Sequence, residues 1–178
     1  YVNYFNSVVG AFPNPDPAAR EHYEPWPGGR TNHYYFDLNR DWAWQTQIES
    51  EQRLKQYHQW LPQVHVDFHE QGYNEPYYFA PAAEPIHQAV TPWQREFQVI
   101  VGKNNAKYFD ENGWQYFTKE RFDLLYPSYG DTYPLYNGAI GMTYEQGGIR
   151  AGLAVVTADG DTLTLKDRIS HYLSLIHI

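Results

Sequence analysis

Val64, Val66 and Phe68 alternate with His65, Asp67 and His69, a period of two that places apolar side chains on one face of a strand and ionisable ones on the other. A polar face on a short internal strand needs partners, so this segment constrains whatever packs around it. Upstream, Thr46-Gln47-Ile48-Glu49 has capping-box spacing and Pro62 forbids continuation, which predicts a surface helix over about 47–60 with a weak apolar stripe. Downstream, Thr91 as cap and Pro92 in the first turn open a helix that carries Trp93, Phe97, Ile100, Val101 and Tyr108 at helical spacing and stops at Asn112-Gly113. Strand between helices implies an α/β sheet covered on both faces.

The remaining elements follow from the same local chemistry. Gln115–Thr118 and Ile140–Tyr144 read as strands, and Asp159-Gly160 between Leu153–Thr157 and Thr162–Leu165 reads as a hairpin turn. Gly10 to Thr31, crowded with Pro13, Pro15, Pro17, Pro25, Pro27, Gly28 and Gly29, reads as a long loop. Tyr1 opens an aromatic, strand-like run, and the domain is expected to begin upstream of it. Residues 173–178, Leu-Ser-Leu-Ile-His-Ile, match the translation of a transposon adapter used in preparing sequencing libraries; they are expected to be read-through, leaving 1–172 as the domain.

At 178 residues the chain can bury one real core, and no apolar run approaches the length of a membrane span. A formal charge of -8 argues against a nucleic-acid partner, which needs a basic face. With no cysteine, any metal must be held by imidazole and carboxylate. Seventeen tyrosines and six tryptophans suit a peptide- or sugar-lined cleft as well as a thick aromatic core, so composition does not choose between them.

Sites in open α/β sheets form at the carboxyl ends of strands, where His69 and Glu145 are both expected. A strand-end histidine can bind a metal, an arginine beside an asparagine (Asn39-Arg40) can clamp a carboxylate at two points, and a glutamate after an apolar strand can act as a general base. Each has a plainer reading: a satisfied polar histidine, a loop charge cluster between Asp37 and Asp41, a turn carboxylate before Gln146-Gly147-Gly148.

Taken in order, Asp37-Leu38-Asn39-Arg40, then Val66-Asp67-Phe68-His69-Glu70, then Gly141-Met142-Thr143-Tyr144-Glu145 resembles the second half of the carboxypeptidase A-like zinc metallocarboxypeptidases, over about Phe36 to Gly148. The resemblance implies a three-layer α/β fold, a mixed β-sheet flanked by helices of phosphorylase/hydrolase-like type, in truncated form. It implies zinc as cofactor, His69 as a zinc ligand and Glu145 as the general base. Asn39 and Arg40 would grip the terminal carboxylate of a peptide substrate, Tyr126 would contact that substrate, and Asp37 would orient a zinc-binding histidine from behind. A monomeric, secreted or periplasmic enzyme with no nucleic-acid partner would fit.

The family's first ligand pair, His-x-x-Glu, occurs nowhere among the eight histidines and is expected upstream of Tyr1, so this chain alone is expected to be inactive. An arginine to polarise the scissile carbonyl has only weak counterparts, Arg30 and, after it, Arg20. Two other readings stand beside this one. His65, Asp67 and His69 could share a metal from one strand face, as in a different hydrolase. Alternatively the aromatic loops at Tyr73–Phe79 and Tyr126–Tyr136 could bind peptide or glycan without catalysis.

Overall fold

The computed structural model describes every residue except Tyr1, Phe12, Pro13, Pro17, Glu24, Pro27, Arg150 and Ile178, and only the backbone of Val9, Glu21 and residues 174–177. Three prolines of the expected loop and the last residue of the expected read-through therefore lie outside the described residues. The elements run α1 (Val2–Ala11), α2 (Ile48–Trp60), β1 (Val64–Gly72), β2 (Tyr77–Tyr78), β3 (Ala83–Ile86), α3 (Pro92–Asn112), β4 (Tyr116–Phe117), β5 (Asp123–Leu124), α4 (Thr132–Tyr136), β6 (Ile140–Ile149), β7 (Ala154–Val156), β8 (Thr162–Thr164) and α5 (Leu165–His177). The fold is mixed α/β: helices flank a four-stranded sheet of order β1-β6-β2-β4 that contains parallel (β2–β4) and antiparallel (β2–β6) pairs. No helix among the described residues is long and apolar enough to cross a membrane.

The chain divides into two compact units, one of residues 31–69 and 77–145, the other of 1–30, 70–76 and 146–178. In the first, Trp42, Leu54 and Tyr57 pack together with Tyr133, while Ala82, Val90, Leu124 and Leu135 form a separate cluster against Ile86. In the second, β7 and β8 pair as the expected hairpin around Gly160 (φ +87°), a conformation that favours glycine, and α5 follows directly. Residues 173–177 continue α5.

The opening segment departs from expectation, since residues 2–11 form a helix and not a strand. Phe5 and Val8, three apart, are its half-buried residues among exposed neighbours, the spacing of a helix face.

Helix α3 has the expected ends, with a full capping box between Thr91 and Gln94 and Gly113 in the left-handed region at its C-terminus. Its faces are a different matter. Gln94, Gln98, Gly102, Asn105 and Phe109 are buried, whereas Trp93, Ile100 and Tyr108 are exposed. The buried amides have work to do: Gln94 Nε2 donates to the carbonyls of Leu135 and Ala139, Gln98 Nε2 donates to Gly141, and Gln98 Oε1 accepts from Ala82 N.

Strand β1 is reversed only in part, since Val66 is half-buried as the alternation expects. Val64 and Phe68 are 47% and 39% exposed, while His65, Asp67 and His69 on the opposite face are half-buried. Helix α2 does not use the expected capping box either. Its cap is Gln47, whose side chain makes no capping bond, and Asp41 accepts nearby from the backbone of Thr46 and Gln47 and from the Thr46 hydroxyl.

Candidate functional site

The site is assembled in the unit of residues 31–69 and 77–145, beginning at a 3-10 turn over Leu38–Arg40. Asp37 starts the turn, its Oδ1 accepting from Asn39 N at 2.9 Å in the local bond that aspartates make two residues ahead. The turn closes with Arg40 N to Asp37 O and Asp41 N to Leu38 O. Asp37 thus builds the turn from within, and its Oδ2 lies 3.9 Å from Arg40 Nη1.

Asn39 is the hub. Its Oδ1 accepts from Gly130 N at 2.7 Å, and its Nδ2 donates to Asp67 Oδ2 at 2.9 Å and lies 2.9 Å from His69 Nε2. Position 130 must be glycine for this to close, because a Cβ there would overlap the Asp67 carboxylate and crowd Asn39 Oδ1. His69 Nε2 is 2.7 Å from the same Asp67 oxygen.

A carboxylate only accepts, so the neutral imidazole must carry its proton on Nε2, leaving Nδ1 as the nitrogen with the lone pair. Burial opposes ionisation of Asp67, but its contacts with His69 and Asn39 outweigh that cost and hold the carboxyl below its usual range. The Asn-Arg turn and the strand-end histidine, separate in sequence, are one hydrogen-bonded group.

Arg40 is exposed, its guanidinium 4.4 Å above the ring of Tyr129 and its Nη1 donating to Asn39 O. Tyr129 packs on Tyr126 at 4.8 Å between centroids, and the Tyr126 hydroxyl accepts from Trp44 Nε1 at 2.6 Å. An aromatic row of Trp44, Tyr126 and Tyr129 therefore leads to a cation, and Tyr126 is tethered at its tip.

Glu145 is 7% exposed on β6, the strand next to β1 in the sheet, and sits opposite Tyr78 in the β2–β6 register. Burial pushes the Tyr78 hydroxyl up, and the charges of Asp131, Glu145 and Asp123 push it further. Asp131 is itself buried, accepting from the hydroxyls of Thr132 (2.9 Å) and Thr143 (2.8 Å). Burial raises its pKa, the two hydroxyls oppose the rise, and the nearby Asp67 charge adds to it.

Arg30 and Arg20 belong to the other unit and are exposed there. His65 stands edge-on to Trp42 and Tyr57, at 5.4 and 5.8 Å between centroids. Burial lowers its pKa; the Asp67 charge opposes that and the Arg53 charge reinforces it. Among the described residues no group of three or more histidine, aspartate or glutamate side chains gathers to hold a metal ion, the trio His65, Asp67 and His69 included. Zinc sites use at least three protein ligands as a rule, and the resemblance assigns His69 as one of them.

Gly130 and Asp131 escaped sequence reasoning, and Asp67 entered it only as a possible metal ligand beside His65 and His69. Asp67 as the partner of His69 could have been found from the strand period, since residues two apart share a face. Gly130 and Asp131 carry no such signal, because their roles depend on contacts with Asn39, Asp67 and Thr143 from other parts of the chain. No protein-family model, curated protein or solved structure matches this chain.

Proposed function

We propose that the chain is the carboxylate-recognition and proton-transfer portion of a zinc metallocarboxypeptidase, whose intact form removes residues from the C-terminus of peptides as a monomer. The observation that carries this reading is that the Asp67 carboxylate accepts from both Asn39 and His69, which joins the Asn-Arg pair to the strand-end histidine in one hydrogen-bonded group. Arg40 supplies a fixed, accessible cation for a terminal carboxylate, and the row Tyr129, Tyr126 and Trp44 offers flat apolar surface beside it. Glu145, buried on the neighbouring strand, is the proton acceptor in this scheme.

Zinc, when bound, would activate water and polarise the peptide carbonyl. His69 would be this chain's contribution to holding it, with Asp67 fixing the ring through Nε2.

A second reading draws on the aromatic row alone. An exposed tryptophan beside two tyrosines suits a peptide-binding surface that performs no chemistry.

Calorimetric titration with N-acetyl-glycyl-phenylalanine and with its C-terminal amide tests the proposal. The acid should bind more tightly than the amide, and Arg40→Met should remove the difference. Equal affinity of the wild-type chain for the two ligands would refute carboxylate recognition at this site.

A further inference from the structure

The turn that presents Asn39 and Arg40 is three residues long, and Asn39 within it departs from helical geometry (φ -84°, ψ 16°). So short a turn has few bonds of its own, and its orientation depends on what grips it from outside. One outside grip comes from α2. Arg53 Nη2 donates to the Leu38 carbonyl at 3.0 Å, the same carbonyl that closes the turn by accepting from Asp41 N.

The arginine is not a loose surface side chain. Its guanidinium lies 3.9 Å over the ring of Trp42, which is buried and packed against Tyr57, His65 and Tyr133. The charges of Asp67 and Asp41 both act on it. Its Nε is buried without a hydrogen-bond partner, so stacking and the Nη2 bond define its position. A planar guanidinium can stack and donate in one pose, whereas an ammonium can do only one of these well.

We propose that Arg53 is a positioning residue: clamped on Trp42, it holds the Leu38–Arg40 turn so that Asn39 meets Gly130, Asp67 and His69 and Arg40 lies over Tyr129. The consequence for carboxylate binding rests on the function proposed above; the consequence for turn geometry does not.

Two readouts on the whole chain keep these apart. The first is hydrogen exchange of the Gly130 amide, which donates to Asn39 Oδ1. In Arg53→Met this exchange should quicken by about tenfold with the α3 amides unchanged, and Arg53→Lys should fall between the two. The second is binding of N-acetyl-glycyl-phenylalanine, which should weaken by about tenfold in Arg53→Met while its amide is unaffected.

Unchanged Gly130 exchange in Arg53→Met overturns the inference whatever the ligand does. Equal quickening of the α3 amides overturns it too, because that marks general destabilisation. Should Arg53→Met fail to fold, Arg53→Lys decides by the same two measurements. A wild-type chain that does not distinguish acid from amide refutes the proposed function and leaves Gly130 exchange to judge Arg53.

Discussion

His69 Nε2 lies 2.7 Å from Asp67 Oδ2, and the Asn39 amide nitrogen lies 2.9 Å from both atoms. Two donors, Asn39 Nδ2 and His69 Nε2, share one carboxylate oxygen here, and the carboxylate decides which ring nitrogen holds the proton.

Long-range proton–nitrogen correlation spectra at neutral pH should show His69 protonated on Nε2. In Asp67→Ala the Asn39 amide can donate to Nε2, so the proton should move to Nδ1. The same variant should lose roughly 1.5–3 kcal/mol of stability in urea titrations, the usual worth of a hydrogen bond to a charged group. An unmoved proton would mean that Asp67 does not set the tautomer.

Gly130→Ala should be costly although the change is one methyl, because the added carbon meets the Asp67 carboxylate and Asn39 Oδ1. Overpacking of this kind costs about 1–3 kcal/mol. Gly10→Ala, where nothing stands within 4 Å and φ is not positive, is the control. The prediction fails if the two variants unfold at the same urea concentration.

The Asp131 carboxyl accepts from two hydroxyls, and hydroxyls can turn to donate or accept. Asp131→Asn should therefore be tolerated, with relief of the repulsion from Asp67 as a compensation. Thr143→Val removes a donor and leaves a buried oxygen unpaired, at a cost of about 1–3 kcal/mol. Thermal melts that rank Asp131→Asn as the worse variant would contradict this account.

His65 ties stability to acidity. Burial lowers its pKa from the ordinary 6.5, so the unfolded chain takes up the proton first as pH falls, and this residue's contribution to stability declines below about that value. In His65→Phe that loss is absent. The stability difference between wild type and variant should accordingly shift in the variant's favour from pH 7.5 to pH 5.5, as read from urea titrations at each pH. A constant difference would show that the ring is not desolvated. The charges facing it, Asp67 and Arg53, act in opposite directions.

Much of the site was legible because its motifs are local. Asp37-Leu38-Asn39-Arg40 announces a turn through aspartate's bond two residues ahead, and the alternation through Val64–His69 announces which strand residues share a face. What could not be read is that Asn39 reaches across to His69, or that Gly130 makes room for them, since both depend on segments far apart in the chain.

Helix α3 shows where the line falls. Thr91, Pro92, Gln94 and Gly113 determine its two ends by themselves, because caps act over three or four residues and need nothing else. The face it buries was decided by the tertiary structure. The carbonyls of Leu135, Ala139 and Gly141 require donors away from water, and the glutamines meet that need while Trp93 and Ile100 remain outside.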